Sequence, residues 1–368
     1  MREPNEIDFW RGFALITIFI NHVPGIYFER FTYRNFSLSD SAELFVFLAG
    51  WSLRLQTNRT GNLPVLTLVK KLSGRALQVY FAQLIITEMA VALLAAASIY
   101  YDAAFLLDWH NASPVFNDPV RAHVGLVLLT HQLGYFNILP LYVVLVALAP
   151  GLAVFARYAP AVILPVSAGL YIVTLATGIN LPSWPEDGTW FLNPLAWQFI
   201  YVLGFLLGGK DGIGGLARRH RRTLFFMGLP IILIGLIVSQ THYSPRPDMV
   251  PSPKLFFVFD KTFLSPARLI DMLGLAAVFA GSFQFLRRFD HVVRFCSLLG
   301  RHSLYVFCVA SLLSLAGQIV RFAYGGAILT DAMIGCVGLA IMGIVAWLSD
   351  SKKAPRAPVG DGQPSPKA

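Results

Sequence analysis

His22 is the first residue whose type and place could do chemistry, because imidazole titrates nearest neutrality and this one closes an apolar run that begins around Phe9. At 1.5 Å per helical residue it lies roughly 21 Å beyond Asp8, in the outer half of a membrane-crossing segment. Asp40 and Glu43 head the next apolar run; three residues apart, they share a face if the helix includes Asp40, and otherwise Asp40 caps it. His131 and Asn137 flank a short run laced with polar residues, and Asp260, Lys261, Arg268 and Asp271 lead into a later one. A histidine at one depth with carboxylates, amides and cations suits acid–base work on a poor nucleophile such as a hydroxyl. A carboxylate there could hold the imidazole's tautomer and support its charged form. Plainer roles also exist: His22 as an interfacial group, Asp40 as a cap, Lys261 and Arg268 as snorkelling cations. Glu43 is the hardest to explain that way, since it falls one turn inside an apolar run, where ionisable groups are costly.

The elements that must position these groups are membrane helices. Of the 368 residues, 56% are apolar and 13% charged, against a charged share of about a quarter in soluble domains. The pattern predicts an all-α polytopic membrane protein of about ten helices, over 9–28, 41–56, 76–101, 138–157, 160–179, 190–209, 223–240, 267–286, 298–321 and 325–348. An eleventh run, 120–135, is short and holds Arg121, His123 and His131. Charge decides against its crossing, because each added crossing inverts every later loop. Ten helices gather three basic segments, Arg54 to Arg75, Lys210 to Arg222 and Arg287 to Arg294, with the basic tail on one side; Asp102, Asp108, Asp118, Glu186 and Asp187 fall on the other. Residues 120–135 are therefore expected to be re-entrant or surface-lying, with both termini cytoplasmic.

One membrane domain is expected over residues 1–349 and a disordered cytoplasmic tail, rich in Pro, Gly, Ser and Lys, over 350–368. Arg2 and Arg11 before the first run resemble a signal peptide, but no small-residue cleavage site follows and His22 interrupts the run, which predicts a retained helix. The net charge of +9 sits in short blocks between apolar segments without interleaved aromatics, a pattern of topology and not of nucleic-acid binding. Cys296, Cys308 and Cys336 show no CxxC spacing and no nearby histidine at ligand spacing, so neither a metal nor a disulfide is expected. On the inner side Lys70, Lys71 and Arg75 precede the third run; they could enforce orientation or hold the phosphates of a nucleotide-bearing donor.

These residues resemble a known family. Arg11 and His22 form Arg-x10-His, a hallmark of acyltransferase-3 membrane proteins, and EIDFWRGFALITIFINH resembles the OpgC branch. Further blocks follow in order: SDSAELFVFLAG from Ser39, GRALQVY from Gly74, NILPLYVVLVALAP from Asn137, NPLAWQ from Asn193, DKTFLSPARLI from Asp260 and LGRHSLYVF from Leu299. The resemblance implies a ten-helix enzyme of the bacterial inner membrane. It would move an acyl group, succinyl in that branch, from cytoplasmic acyl-CoA to a periplasmic glucan, with no permanently bound cofactor. Where the wider class often has a second arginine three residues after the one matching Arg75, this chain has Gln78, and no histidine follows closely after Tyr305.

On that reading His22 is the base or a transiently acylated nucleophile, with Glu43 and Asp40 supporting it. Arg11, Arg75 and Lys71 face the phosphates of acyl-CoA. His131, Asn137, Lys261 and Arg268 face the acceptor or the far carboxylate of a succinyl group. The competing expectation is a transporter or flippase for an anionic or glycan-linked substrate, in which the same buried charges line a path without covalent chemistry.

Overall fold

The computed structural model describes residues 3–60 and 63–351. Its α-helices are α1 (Glu6–Asn21), α2 (Ser41–Arg59), α3 (Val65–Tyr100), α4 (Ser113–Asn117), α5 (Pro119–Val127), α6 (Ile138–Ala147), α7 (Ala149–Tyr158) and α8 (Pro160–Thr177). They continue with α9 (Pro194–Leu207), α10 (Gly212–Arg219), α11 (Arg221–Thr241), α12 (Pro266–Phe279), α13 (Phe283–Leu286), α14 (Asp290–Arg301), α15 (Ser303–Tyr324) and α16 (Ile328–Ser351). Among the described residues there is no strand, only an isolated antiparallel bridge between Pro182 and Thr189.

The helix starts follow from local chemistry. Asn5 caps α1 by accepting from the Asp8 amide at 3.0 Å. α2 opens on a capping box: Asp40 accepts from the Ala42 amide at 2.8 Å, while Glu43 accepts from the Asp40 amide at 3.0 Å. Proline occupies the first turn of α5, α7, α8, α9 and α12, where its missing N–H costs nothing.

Among the described residues six helices are long and apolar enough to cross a membrane: α3, the α6–α7 stretch over Gly134–Tyr158, α8, α11, α15 and α16. The pair α9 and α10, bent by 69°, makes a seventh if taken as one span. The expected count of about ten is therefore not reached on length and composition. The three runs that fall short are the ones carrying the site's charges. α1 has 16 residues, α12 has 14 and holds Arg268 and Asp271, and α2 carries Glu43, Arg54 and Arg59. These helices face protein as well as lipid, so partners within the fold stand in for an unbroken apolar surface. Residues 120–135 contain only the nine-residue α5 and a turn; at about 13 Å the helix falls well short of a hydrocarbon core about 30 Å thick. At the C-terminus α16 runs through Ser351, so residues 350 and 351, expected in a disordered tail, are helical; residues 352–368 lie outside the described residues.

Glycines set two close helix crossings. A Cβ on Gly12 would collide with the Cys296 carbonyl, and one on Gly300 with the Asp8 carbonyl, so α1 and α14 meet backbone to backbone. α2 and α9 do the same through Gly50 against the Tyr201 carbonyl and Gly204 against the Phe47 carbonyl. Trp197, Phe19, Phe45, Phe136, Phe205 and Phe307 are the bulkiest fully buried side chains.

Candidate active site

The end of α1 opens on a cavity of about 500 Å³. His22, Asp40, His131, Asn137 and Lys261 all line it, so residues from four separate stretches of sequence converge there. That volume lies within the range of pockets that enclose a small ligand, about 300–1,000 Å³.

His22 is the C-terminal cap residue of α1, and its ring stacks on Tyr135 with centroids 4.5 Å apart and planes 21° apart. Its carbonyl accepts from Gln318 on α15 at 2.6 Å, and the Gln318 oxygen meets His110 Nε2 at 2.7 Å. The Tyr135 hydroxyl donates to the Ser311 carbonyl at 2.9 Å, which fixes the plane on which His22 rests. His22 Nδ1 is buried without a hydrogen-bond partner. The chain after His22 is pinned by Asp331 of α16, which pairs with Arg321 and accepts from the Tyr27 amide at 2.7 Å.

Asp40, Glu43, Lys261 and Arg268 form one network of two carboxylates and two cations. Glu43 is fully buried; its Oε1 accepts from Arg268 Nε at 2.7 Å and its Oε2 from the Asp40 amide at 3.0 Å. Asp40 pairs with Lys261 and stands 3.6 Å from the Arg268 guanidinium. Both oxygens of Glu43 are thereby engaged, and among the described residues no hydrogen bond joins it to His22. Arg268 is turned into the wall beside Glu43 and does not line the cavity, whereas Lys261 does. The sharp turn into α2 is held from α12: Asp271 accepts from the Ser39 amide at 2.8 Å and from the Ser39 hydroxyl at 2.7 Å.

His131 and Asn137 lie on the turn and helix start that follow α5. His131 is buried, and that burial holds its imidazole below the ordinary value, the charged form being the one that loses hydration. His110, held on the loop after α3 with a left-handed backbone, is depressed for the same reason.

Arg11 and Arg75 form a second cluster, away from the cavity. Arg11 donates to Ser303 Oγ at 2.6 Å; Arg75 donates to Gln78 at 2.6 Å, and Gln78 in turn donates to the Tyr305 hydroxyl at 3.2 Å. Both arginines are thus tied to the first turn of α15. Along α1, Arg11 and His22 are separated by about 16 Å at the helical rise. Lys71 is exposed on α3 and belongs to neither group of contacts. Beside the cluster, His302 and Arg301 both meet Asp350 at 3.1 Å, tying the end of α16 to the start of α15.

A family model described as OpgC protein matches residues 2–354, nearly the whole chain. The chain belongs to the OpgC family. No curated relative and no solved structure matches it. Membership in the OpgC family supports acyltransferase-type chemistry in glucan modification, and the apolar helices make this member a membrane protein.

Sequence reasoning passed over Tyr135, Gln318, His110 and Arg34, all of which the fold brings to or beside His22. Only Gln318, an amide inside an apolar run, left a mark that could have flagged it. Among the described residues no group of three or more His, Cys, Asp or Glu is set to hold a metal ion.

Proposed function

We propose that this OpgC-family protein is an O-acyltransferase of the bacterial inner membrane, with both termini cytoplasmic, that moves an acyl group, succinyl for choice, from acyl-CoA to a hydroxyl of a periplasmic glucan. One observation carries the reading: α1 holds His22 at a roomy cavity while Arg11, about 16 Å away along the same helix, joins Arg75 at the start of α15. A base at one end and guanidinium groups at the other match a donor that brings phosphates and an acyl thioester to opposite ends of one path.

His22 takes the proton from the acceptor hydroxyl as its oxygen attacks the thioester carbonyl; the C–S bond then breaks and the thiolate leaves with that proton. Asp40, on the same cavity wall, supports the imidazolium through space. Lys261 faces the oxyanion or the far carboxylate of the acyl group. Glu43 acts one step back: with Arg268 it presents Asp40 at the turn into α2. Arg11 and Arg75 hold phosphate. His131 and Asn137 face the acceptor, and Lys71 adds positive charge at the mouth on the donor side.

The test is release of free thiol from succinyl-CoA by the purified protein in the presence of a glucan, with and without His22→Ala. Loss of about 10²- to 10⁴-fold in rate is expected for the variant, the usual contribution of a general base. If the wild-type protein releases no thiol while vesicles containing it move the glycan, the protein is a transporter and the acyl-transfer reading fails.

A further inference from the structure

One wall of the cavity is aromatic. Trp184 and Phe191 lie on the segment between α8 and α9, line the cavity, and remain 40% and 51% exposed. Large aromatic side chains left partly exposed on a cavity wall forgo hydrophobic stabilisation that a covering ligand would supply.

The segment is held firmly enough to present them. The Trp184 amide donates to the Thr130 carbonyl at 3.3 Å, and Thr130 Oγ1 donates back to the Trp184 carbonyl at 3.1 Å. The Pro182–Thr189 bridge closes the turn between them. Gly125 lies beneath, where a Cβ would strike both the Trp184 carbonyl and the His131 side chain, so Trp184 and His131 approach each other over one glycine. His131 is 3% exposed, and its Nε2 has no hydrogen-bond partner within the protein. His131 itself contributes to the cavity lining, with Asn137 beside it.

Charge narrows the class of that partner. The ionic side chains on the cavity wall are Arg34, Asp40, Glu186 and Lys261, two of each sign, and Lys261 is already paired with Asp40. A wall with no net charge, a partly exposed indole, and imidazole and amide residues beside it fits an uncharged ring with an apolar C–H face and a rim of hydroxyls.

We propose that Trp184 is the stacking platform for an uncharged pyranose ring, oriented so that its hydroxyl rim meets His131 and Asn137. Ring binding stands on the wall itself; only the further step, presentation of a hydroxyl toward His22, rests on the acyl-transfer reading.

The experiment is binding of a linear glucose hexasaccharide to the full chain in detergent micelles, followed by saturation-transfer NMR, with hexaethylene glycol as the control. Wild type should bind the sugar and not the glycol. Trp184→Ala should weaken binding at least about tenfold, the scale of a central aromatic contact. Trp184→Phe should retain most of it, since a smaller ring still offers a flat face. The proposal is overturned if wild type does not bind the hexasaccharide, if the glycol binds equally well, or if Trp184→Ala binds as wild type does. No donor is present, so sugar binding that depends on Trp184 survives even if no thiol is ever released. Conversely, thiol release with an unchanged acceptor KM in Trp184→Ala removes the platform and leaves the acyl-transfer reading standing.

Discussion

Glu43→Gln should destabilise the protein by about 3–5 kcal/mol, the cost of stripping one partner from a buried ion pair. The magnitude follows from the surroundings of Glu43. It is fully buried and meets Arg268 at 2.7 Å, while Asp40 is already engaged by Lys261 and caps α2. Neutralising Glu43 leaves two cations facing one carboxylate in the wall. At a charge separation of about 4 Å, one opposite-charge contact is worth about 4 kcal/mol for an effective dielectric of 20, and it is this that offsets the hydration lost by Arg268. Removing the cation as well, in Glu43→Gln/Arg268→Met, restores charge balance and should recover most of the loss. The assay is a double-mutant cycle on reversible unfolding in mixed micelles, with wild type, both single variants and the pair. A loss below about 1 kcal/mol for Glu43→Gln, the range of exposed pairs, would mean that the network is hydrated and that its role in holding Asp40 has been misjudged.

Gly12→Leu should destabilise the chain by at least about 1–3 kcal/mol, because its Cβ alone already collides with the Cys296 backbone; a melting temperature in detergent equal to that of wild type would refute the close crossing of α1 and α14. Arg75→Glu should raise the KM for acyl-CoA and leave the acceptor KM nearly unchanged, whereas Asn137→Ala, on the acceptor side, should do the reverse; steady-state kinetics varying one substrate at a time decides, and the opposite pattern would invert the sidedness. For His110 and His131 the folded pKa lies below the ordinary value of 6.5, so the unfolded chain binds more protons below that pH. Their contribution to stability is therefore complete above about pH 6.5 and falls away as pH drops through it. Melting temperatures from pH 8 to pH 5 should show that decline, with a shallower slope in His131→Gln; an unchanged slope would mean that His131 is not buried as a neutral ring.

The helical, membrane-bound character of the chain was legible in its residues, because apolar runs recur at the length a bilayer demands. The failure of residues 120–135 to make a long helix was legible too, since Pro119 starts α5 and polar residues interrupt the run. The number of spans was less so, because α1, α2 and α12 are short or charged and owe their place to neighbouring helices. His22, Asp40, His131, Asn137 and Lys261 could be selected one by one as polar groups at one depth. That they line one cavity was decided by contacts between stretches more than a hundred residues apart, such as Asp40 with Lys261. The division of labour between the two carboxylates was likewise tertiary. Glu43, the more suspicious residue in sequence, is turned toward Arg268, while Asp40, which reads as a cap, is both a cap and a cavity group. Sequence determines which groups are too costly to bury alone; only the packed helices determine which partner each one finds, because opposite charges and hydrogen-bond donors arrive there from distant parts of the chain.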